Sequence, residues 1–406
     1  MKKSLFNPAD ILLPKGDYEK WSVIACDQFT SRVDYWEDVK KIAGDAPSVI
    51  NLIYPEVYLG KTDAQETVKS INVKMLEYIG SGVFEEYKDS FIYVERIQSD
   101  GRLRAGIVGA VDLEKYDYNE GSTSEIRATE KTVLERIPPR VQIRKDASLE
   151  LPHILMLIDD AEKTVIEPLA ALAENGKMQK LYDFTLMLGG GSIKGYLVPK
   201  EYNEKIVAAV EALGNKNGGI ALAVGDGNHS LATAKACYAL NPNETTRYAL
   251  TELVNLHSPA LEFEPIYRTA ENVDAENVYA EFIAFLNKNG AKVSENGKQK
   301  ITFVAGECEK TVKIDNPPHV LAVGTVQLFL DEYIKTNTKA EIDYIHGEDE
   351  VISIAKKPDA CGFIYDCLTK AELFPAVAKE GVLPRKTFSM GHARDKRYYT
   401  EARKIK

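Results

Sequence analysis

Paired cysteines are missing from this sequence. Cys26, Cys237, Cys308, Cys361 and Cys367 are odd in number and scattered, and Cys361 and Cys367 lack zinc-type spacing. Reduced thiols in a cytoplasmic protein are the expectation. Long apolar runs are absent too: nothing approaches the roughly 18 uninterrupted residues of a membrane span, so no membrane partner is expected. A basic excess is also lacking. With 51 Lys+Arg against 61 Asp+Glu the net charge is -10, which argues against a general nucleic-acid binder, because backbone binding needs a dominant basic field. Met1 to Phe6 begins like a secretory signal, but Asn7, Pro8 and Asp10 break the apolar stretch, so export by that route is not expected. No internal repeat, low-complexity tract or heptad pattern is found.

What remains is ordinary globular material, 44% hydrophobic and 28% charged. At 406 residues the chain exceeds the size at which one core stops growing. Two domains are expected: a core over 1–270 and a second α/β region over 271–406 that ends in a basic segment.

The local patterns alternate strand and helix, the mark of a mixed α/β fold. Phe91–Ile97 and Leu103–Val111 flank Asp100-Gly101 and predict a hairpin. Ser122-Thr123-Ser124-Glu125 has the capping-box pattern, and the spacing of Ile126, Val133, Leu134 and Ile137 predicts a helix from about Ser124 to Ile137, stopped by Pro138-Pro139. Arg140 to Arg144 alternates with period two and predicts a strand, and His153–Ile158 predicts a buried one. Leu181–Leu188 and Ile193–Val198 read as strands joined by Gly189-Gly190-Gly191-Ser192, either a hairpin turn or a phosphate cradle. Beyond Arg268, helices are expected near 278–289, 323–334 and 370–379, the last containing Pro375. A hairpin over 301–304 and 311–314 and a strand at 362–365 accompany them.

The richest motif is Gly225-Asp226-Gly227-Asn228-His229-Ser230, placed between the apolar run Ile220–Val224 and an alanine-rich stretch ending at Asn241-Pro242-Asn243. Strand, tight turn and helix are the reading. Such a helix start presents backbone N–H groups and a positive dipole end, and glycines let an anion approach. Asp226 adds a carboxylate able to hold a metal ion or accept a hydroxyl proton, and His229 an imidazole able to donate to a phosphoryl oxygen. The bland alternative keeps Asp226 or Asn228 as a cap, the glycines as turn residues and His229 as a first-turn residue bonded to a carbonyl.

Glu130, with Arg127 on the same predicted helix face, is an acid on an apolar stripe. It is either a general base or metal ligand tuned by Arg127, or half of a buried structural pair. Arg136, Arg140 and Arg144, and likewise Arg268, either complete an anion pocket or form solvated basic faces. Residues 381–406 carry eight Lys/Arg against two acids, and Arg385-Lys386 is the candidate there for folding back over a phosphate. His346-Gly347-Glu348-Asp349-Glu350 contains ligand types in a polar loop.

The box 225–230, the segment Ile126-Arg127-Ala128-Thr129-Glu130-Lys131-Thr132, Pro265-Ile266-Tyr267-Arg268 and Pro384-Arg385-Lys386-Thr387 resemble the bacterial and archaeal family called domain of unknown function 1015. The family's box commonly reads Asp-Gly-His-His-Arg, similar to that of free serine kinases built on the ParB/sulfiredoxin-like fold. The resemblance implies a ParB-like nucleotide-binding core, with Asp226 acting on the substrate hydroxyl or a magnesium ion, His229 touching phosphate and Glu130 as second catalytic carboxylate. It implies Gly225, Gly227, Asn228, Ser230, Arg127, Arg268, Arg385 and Lys386 as nucleotide contacts. Asn228 and Ser230 depart from the box, so Arg127, Lys235 or the Arg385-Lys386 pair must supply the missing cation, or the chemistry has changed. The family's association with serine biosynthesis points to L-serine or O-phosphoserine.

The functional expectation is therefore phosphotransfer with a nucleotide (ATP or ADP) and Mg²⁺ on a small hydroxylated metabolite. The alternative is a non-catalytic nucleotide- or phosphometabolite-binding regulator. The partner expected is a small-molecule substrate, with a homodimer as an open assembly state.

Overall fold

The computed structural model describes residues 4–29, 32–58, 61–119 and 121–406. The chain divides into two compact units, 1–261 together with 391–406, and 262–390. Both are mixed α/β. The expected boundary at 270 falls inside the strand Phe263–Glu271, and residues 391–406 belong to the first unit.

In the first unit the Asp100-Gly101 turn closes the hairpin Ile92–Ile97 with Leu103–Asp112, register Ile97↔Leu103, as the dipeptide required. This hairpin is built into a ten-stranded mixed sheet. Its order is Gln179–Thr185, Ser192–Leu197, Ile92–Ile97, Leu103–Asp112, Tyr248–Asn255, Leu155–Ile158, Leu222–Asp226, Ile126–Ala128 and Tyr116–Asp117, with Phe6–Asn7 beside Leu103–Asp112. Successive side chains of a strand point to opposite faces. Ile92, Val94, Val108 and Ala110 accordingly join a core containing Trp21 and Trp36. Tyr93, Ile107 and Val111 join a second core with Leu222, Val224 and Leu231. The triple glycine is a hairpin connection, closed by the Leu186 N–H donating to Gly191 O at 2.8 Å between antiparallel strands.

Residues 124–144 depart from expectation. Ile126–Ala128 is a strand, parallel to Leu222–Val224, and Ile137–Arg144 is a helix with Pro138 and Pro139 in its first turn. The Ser122 hydroxyl accepts the Ser124 N–H at 3.2 Å, a local turn and not a helix cap. Two physical causes explain the reversal. A strand buried on both faces loses its alternation, and Ile126, Arg127, Ala128 and Thr129 are all buried. Proline in a first helical turn loses no hydrogen bond, so the pair starts a helix where an ending was expected. Ile137 and Val141 then pack on Ala232.

The second unit carries a seven-stranded sheet ordered Lys292–Val293, Cys308–Asp315, Gln299–Ala305, Ala360–Tyr365, Phe263–Glu271 and Glu341–His346, with Phe388–Met390 paired to Phe263–Glu271. The helices Ala275–Lys288, Ala322–Thr336 and Lys370–Glu380 match the sequence reading, Pro375 included. Phe282, Phe329 and Phe363 meet in its core.

Candidate functional site

The expected strand, turn and helix are all present: Leu222–Asp226, Gly227 and Asn228–Leu240. Strand pairing fixes where the carboxylate sits. Leu222–Asp226 has Ile126–Ala128 parallel on one side and Leu155–Ile158 antiparallel on the other, and the second register slips between Val224 and Asp226. Gly225 occupies the slip, where a Cβ would lie 2.8 Å from Leu157 Cγ. Gly227 has φ +88°, a left-handed conformation that glycine adopts without penalty. Asp226 is thus held between two backbone positions that favour glycine. The first intrahelical bond is Leu231 N–H to Gly227 O at 3.0 Å. The amides of Asn228, His229 and Ser230 therefore have no acceptor within the helix, and they stand at its positive end.

Around this turn the structure gathers several of the nominated side chains. The Thr129 hydroxyl donates to Val224 O at 2.8 Å, and the Val133 N–H donates to His229 Nε2 at 3.3 Å. The segment 129–133, which contains Glu130, is thereby tied to the box at both ends. In the parallel register Val224 faces Ala128, so Asp226 and Glu130 each follow the paired residues by two and leave the same edge of the sheet. Glu130 is half-buried and forms an isolated β-bridge just after a strand, not part of a helix. With His229 Nε2 accepting, the ring proton is on Nδ1, a neutral donor. Ser230 Oγ lies 2.6 Å from His153 Nε2. The Oδ1 of Asn228 is buried with no hydrogen-bond partner among the described residues. Arg127 is 7% exposed, donates from Nε to Ser124 O at 2.9 Å, and burial holds its guanidinium below the ordinary range.

Other nominated cations have partners within their own units. Lys235 donates to Leu113 O at 2.6 Å. Arg268, expected to contact an anion, is fully buried, and its guanidinium donates to Gln327 Oε1, Ile266 O, Lys386 O and Arg385 O. It braces the second unit internally, a correction to its expected role. Arg385 and Lys386 are exposed residues of that unit, set over the Tyr344 ring at 4.9 and 5.3 Å. Arg140 donates to Arg136 O, and Arg144 is paired with Glu150. Among the described residues no cluster of three or more His, Cys, Asp or Glu is arranged to hold a metal ion, the 346–350 segment included. A cavity of about 280 Å³ in the second unit is lined by Lys300, Glu309, Glu348 and Asp366 among others.

Sequence reasoning missed three neighbours of the box. Lys396 Nζ is 3.2 Å from Asp226 Oδ1. His153 meets Ser230 and lies against Tyr399 in a tilted ring pair with centroids 5.0 Å apart. The Cys26 thiol is pushed up to about 11 by burial, with Lys396 pulling the other way and Asp226 adding to the rise. The signal for Lys396 was the basic bias of 381–406, which the reading assigned to Arg385-Lys386.

No helix among the described residues is long and apolar enough to cross a membrane. No curated protein matches the sequence. Solved structures similar to this chain include a free serine kinase in complex with AMP, at 15% identity and TM-score 0.39, covering 72% of this chain and 93% of that one. A conserved hypothetical protein from Pyrococcus furiosus is 12% identical, with TM-score 0.36 and coverage of 70% and 90%. SbnI with a C-terminal truncation, from Staphylococcus aureus, is 11% identical, with TM-score 0.37 and coverage of 70% and 82%. The family model described as "Protein of unknown function (DUF1015)" matches residues 8–348, most of the chain, and the protein belongs to that family.

Proposed function

We propose that the protein is a phosphotransfer enzyme acting between a nucleotide and a small hydroxylated metabolite, with L-serine or O-phosphoserine as first choice. One observation carries this reading. The half-buried carboxylate of Asp226 ends a strand directly before a helix whose first three amides have no intrahelical acceptor. That geometry supplies the two needs of phosphoryl transfer, fixed donors for phosphoryl oxygens and a base aimed at a hydroxyl. In the proposed site the amides of Asn228 to Ser230 and the Nδ1–H of His229 hold phosphoryl oxygens. Asp226 takes the hydroxyl proton, Glu130 is the second carboxylate, and Asn228 Oδ1 accepts from the substrate. The choice of serine follows from the sequence resemblance to free serine kinases. The geometry itself asks only for a hydroxyl and a phosphoryl donor.

Magnesium, when bound with a nucleotide, neutralises charge on the phosphoryl oxygens. Asp226 is the residue that would hold it, as the alternative to its role as base, and a single carboxylate suits an ion that takes most of its ligands from water and phosphate. The regulatory reading is favoured by the Asp226–Lys396 pair, because the carboxylate proposed to act on the hydroxyl already holds a cation. Replacing the charge decides between the two. Asp226→Asn should lower turnover by ~10²–10⁴-fold, the usual loss for a general base, while nucleotide binding measured calorimetrically persists. A coupled assay would follow ADP release from ATP with serine, and phosphate release from phosphoserine. Wild-type protein inactive in both directions, or an Asp226→Asn variant as fast as wild type, would overturn the enzymatic reading.

A further inference from the structure

We infer that Lys396 is the phosphate-binding cation of this site, supplied by the C-terminal segment in place of the cation that Ser230 removes from the box. The inference rests on the phosphotransfer reading above and deepens it.

The position of Lys396 is built from both sides. Arg96, itself 1% exposed, donates to Arg394 O at 2.5 Å and to Lys396 O at 2.7 Å. Arg104, 2% exposed, donates to Asp395 O at 2.6 Å. The Asp395 carboxylate accepts the Ser99 N–H at 2.7 Å and its hydroxyl at 2.9 Å. On the other side Arg397 is locked between Glu252 at 2.8 Å and Glu401 at 2.6 Å. Buried charged groups thus hold the backbone immediately before and after one lysine, whose ammonium reaches the carboxylate of the box. Lys396 and Asp226 keep 15% and 27% of their side-chain surface accessible, whereas Arg397, Glu252 and Glu401 keep 3% or less. The anchors are sealed, while the pair they present keeps part of its surface accessible.

The chemistry fits a phosphoryl oxygen. An ammonium beside helix-start amides adds a full charge where the dipole supplies a fraction of one, and three rotatable donors let it exchange Asp226 for phosphate without moving its backbone. Two of the other cations named for the task have backbone acceptors of their own, Arg127 at Ser124 O and Lys235 at Leu113 O.

The test is calorimetric titration of the full-length chain with ADP and Mg²⁺. Lys396→Met should weaken ADP binding by roughly ten- to a hundredfold, the range of a charge-assisted hydrogen bond, while Lys396→Arg stays within a few-fold of wild type. Because Lys396→Met leaves Asp226 without its cation and could unfold the turn, the comparison is repeated as Asp226→Asn against Asp226→Asn/Lys396→Met, where no carboxylate is stranded. A further loss of affinity in the double variant supports the assignment. Equal affinity in both comparisons, with only the unfolding midpoint lowered, makes Lys396 a structural partner and overturns it, leaving the phosphotransfer reading intact. Wild-type protein that binds no ADP overturns both together.

Discussion

Glu252→Gln is the sharpest probe of how the C-terminal segment is held. Glu252 is 1% exposed, with Arg397 Nε at 2.8 Å and Arg104 Nε at 3.7 Å, both arginines being 3% exposed or less. Burial works against the Arg104 charge and holds it below its ordinary range. It works against Arg397 as well, but Glu401 and Glu252 outweigh it there and the charge is reinforced. Glutamine keeps the size and removes the charge, leaving Arg104 with only Asp395 and Asp226 as compensating carboxylates and Arg397 with Glu401. Breaking a buried pair in this way costs about 3–5 kcal/mol, a large share of the roughly 5–15 kcal/mol that holds a domain folded. The assay is built in. Both tryptophans, Trp21 and Trp36, are buried in the first unit, and Trp21 Nε1 donates to Thr400 O at 2.8 Å. Urea unfolding followed by tryptophan fluorescence therefore reports this unit and the docking of its tail. A loss below ~1 kcal/mol, the size of a screened surface pair, would refute the argument. So would a Glu252→Gln/Arg397→Met variant whose loss equals the sum of the singles, since directly coupled groups do not add.

Two further outcomes are expected. Gly227→Ala should destabilise the first unit by roughly 1–2 kcal/mol, the cost of forcing an L-residue into the left-handed region, with its Cβ placed 3.1 Å from Ile154 Cγ1; an unchanged fluorescence midpoint would show that the turn relaxes freely. His319 should make the second unit acid-sensitive. Burial lowers its pKa and Lys379 lowers it further, against Glu380 at 4.0 Å, and the Leu321 N–H donating to Nδ1 at 3.0 Å holds the ring in its neutral form. On acidification the unfolded chain takes the proton first, at about pH 6.5. Stability is full above that value and is lost as pH falls towards the folded pKa. Amide exchange over 262–390 between pH 8 and pH 5 should show that slope in wild type and a shallower one in His319→Asn, which keeps an acceptor for Leu321; equal slopes would discharge His319.

Elements whose pattern is local were legible in the sequence. The Asp100-Gly101 hairpin, the 222–240 strand, turn and helix, and the helices and hairpin of the second unit follow from turn chemistry and periodicity, and all are present. The failure over 124–144 was a failure of context. Nothing in Ile126-Arg127-Ala128 announces that Leu222–Val224 will pair with it, and tertiary pairing overrides helix propensity. The site divides in the same way. Asp226, Gly227 and His229 were visible because they share one short motif. Lys396 and His153 were not, since 170 and 73 residues separate them from Asp226 in the sequence. Arg268 misled for the reverse reason: a cation beside a motif-like proline says nothing about whether backbone carbonyls have already taken its donors.

The order in which the ribosome emits this chain differs from the order in which its parts can be finished. Residues 262–390 form their unit from contiguous sequence, so it can close without waiting for 391–406. The first unit cannot. Thr400, whose carbonyl serves Trp21, and Ala402, bonded to Leu12, come after the whole of the second unit in the chain, as does Arg403, which is paired with Glu150. Until then Glu252, Arg96 and Arg104 lack the partners that 394–397 bring, and the apolar seats of Tyr398, Tyr399, Ala402 and Ile405 stay open. A nascent first unit must therefore wait with charged and apolar surface exposed, a state that favours chaperone capture over independent closure.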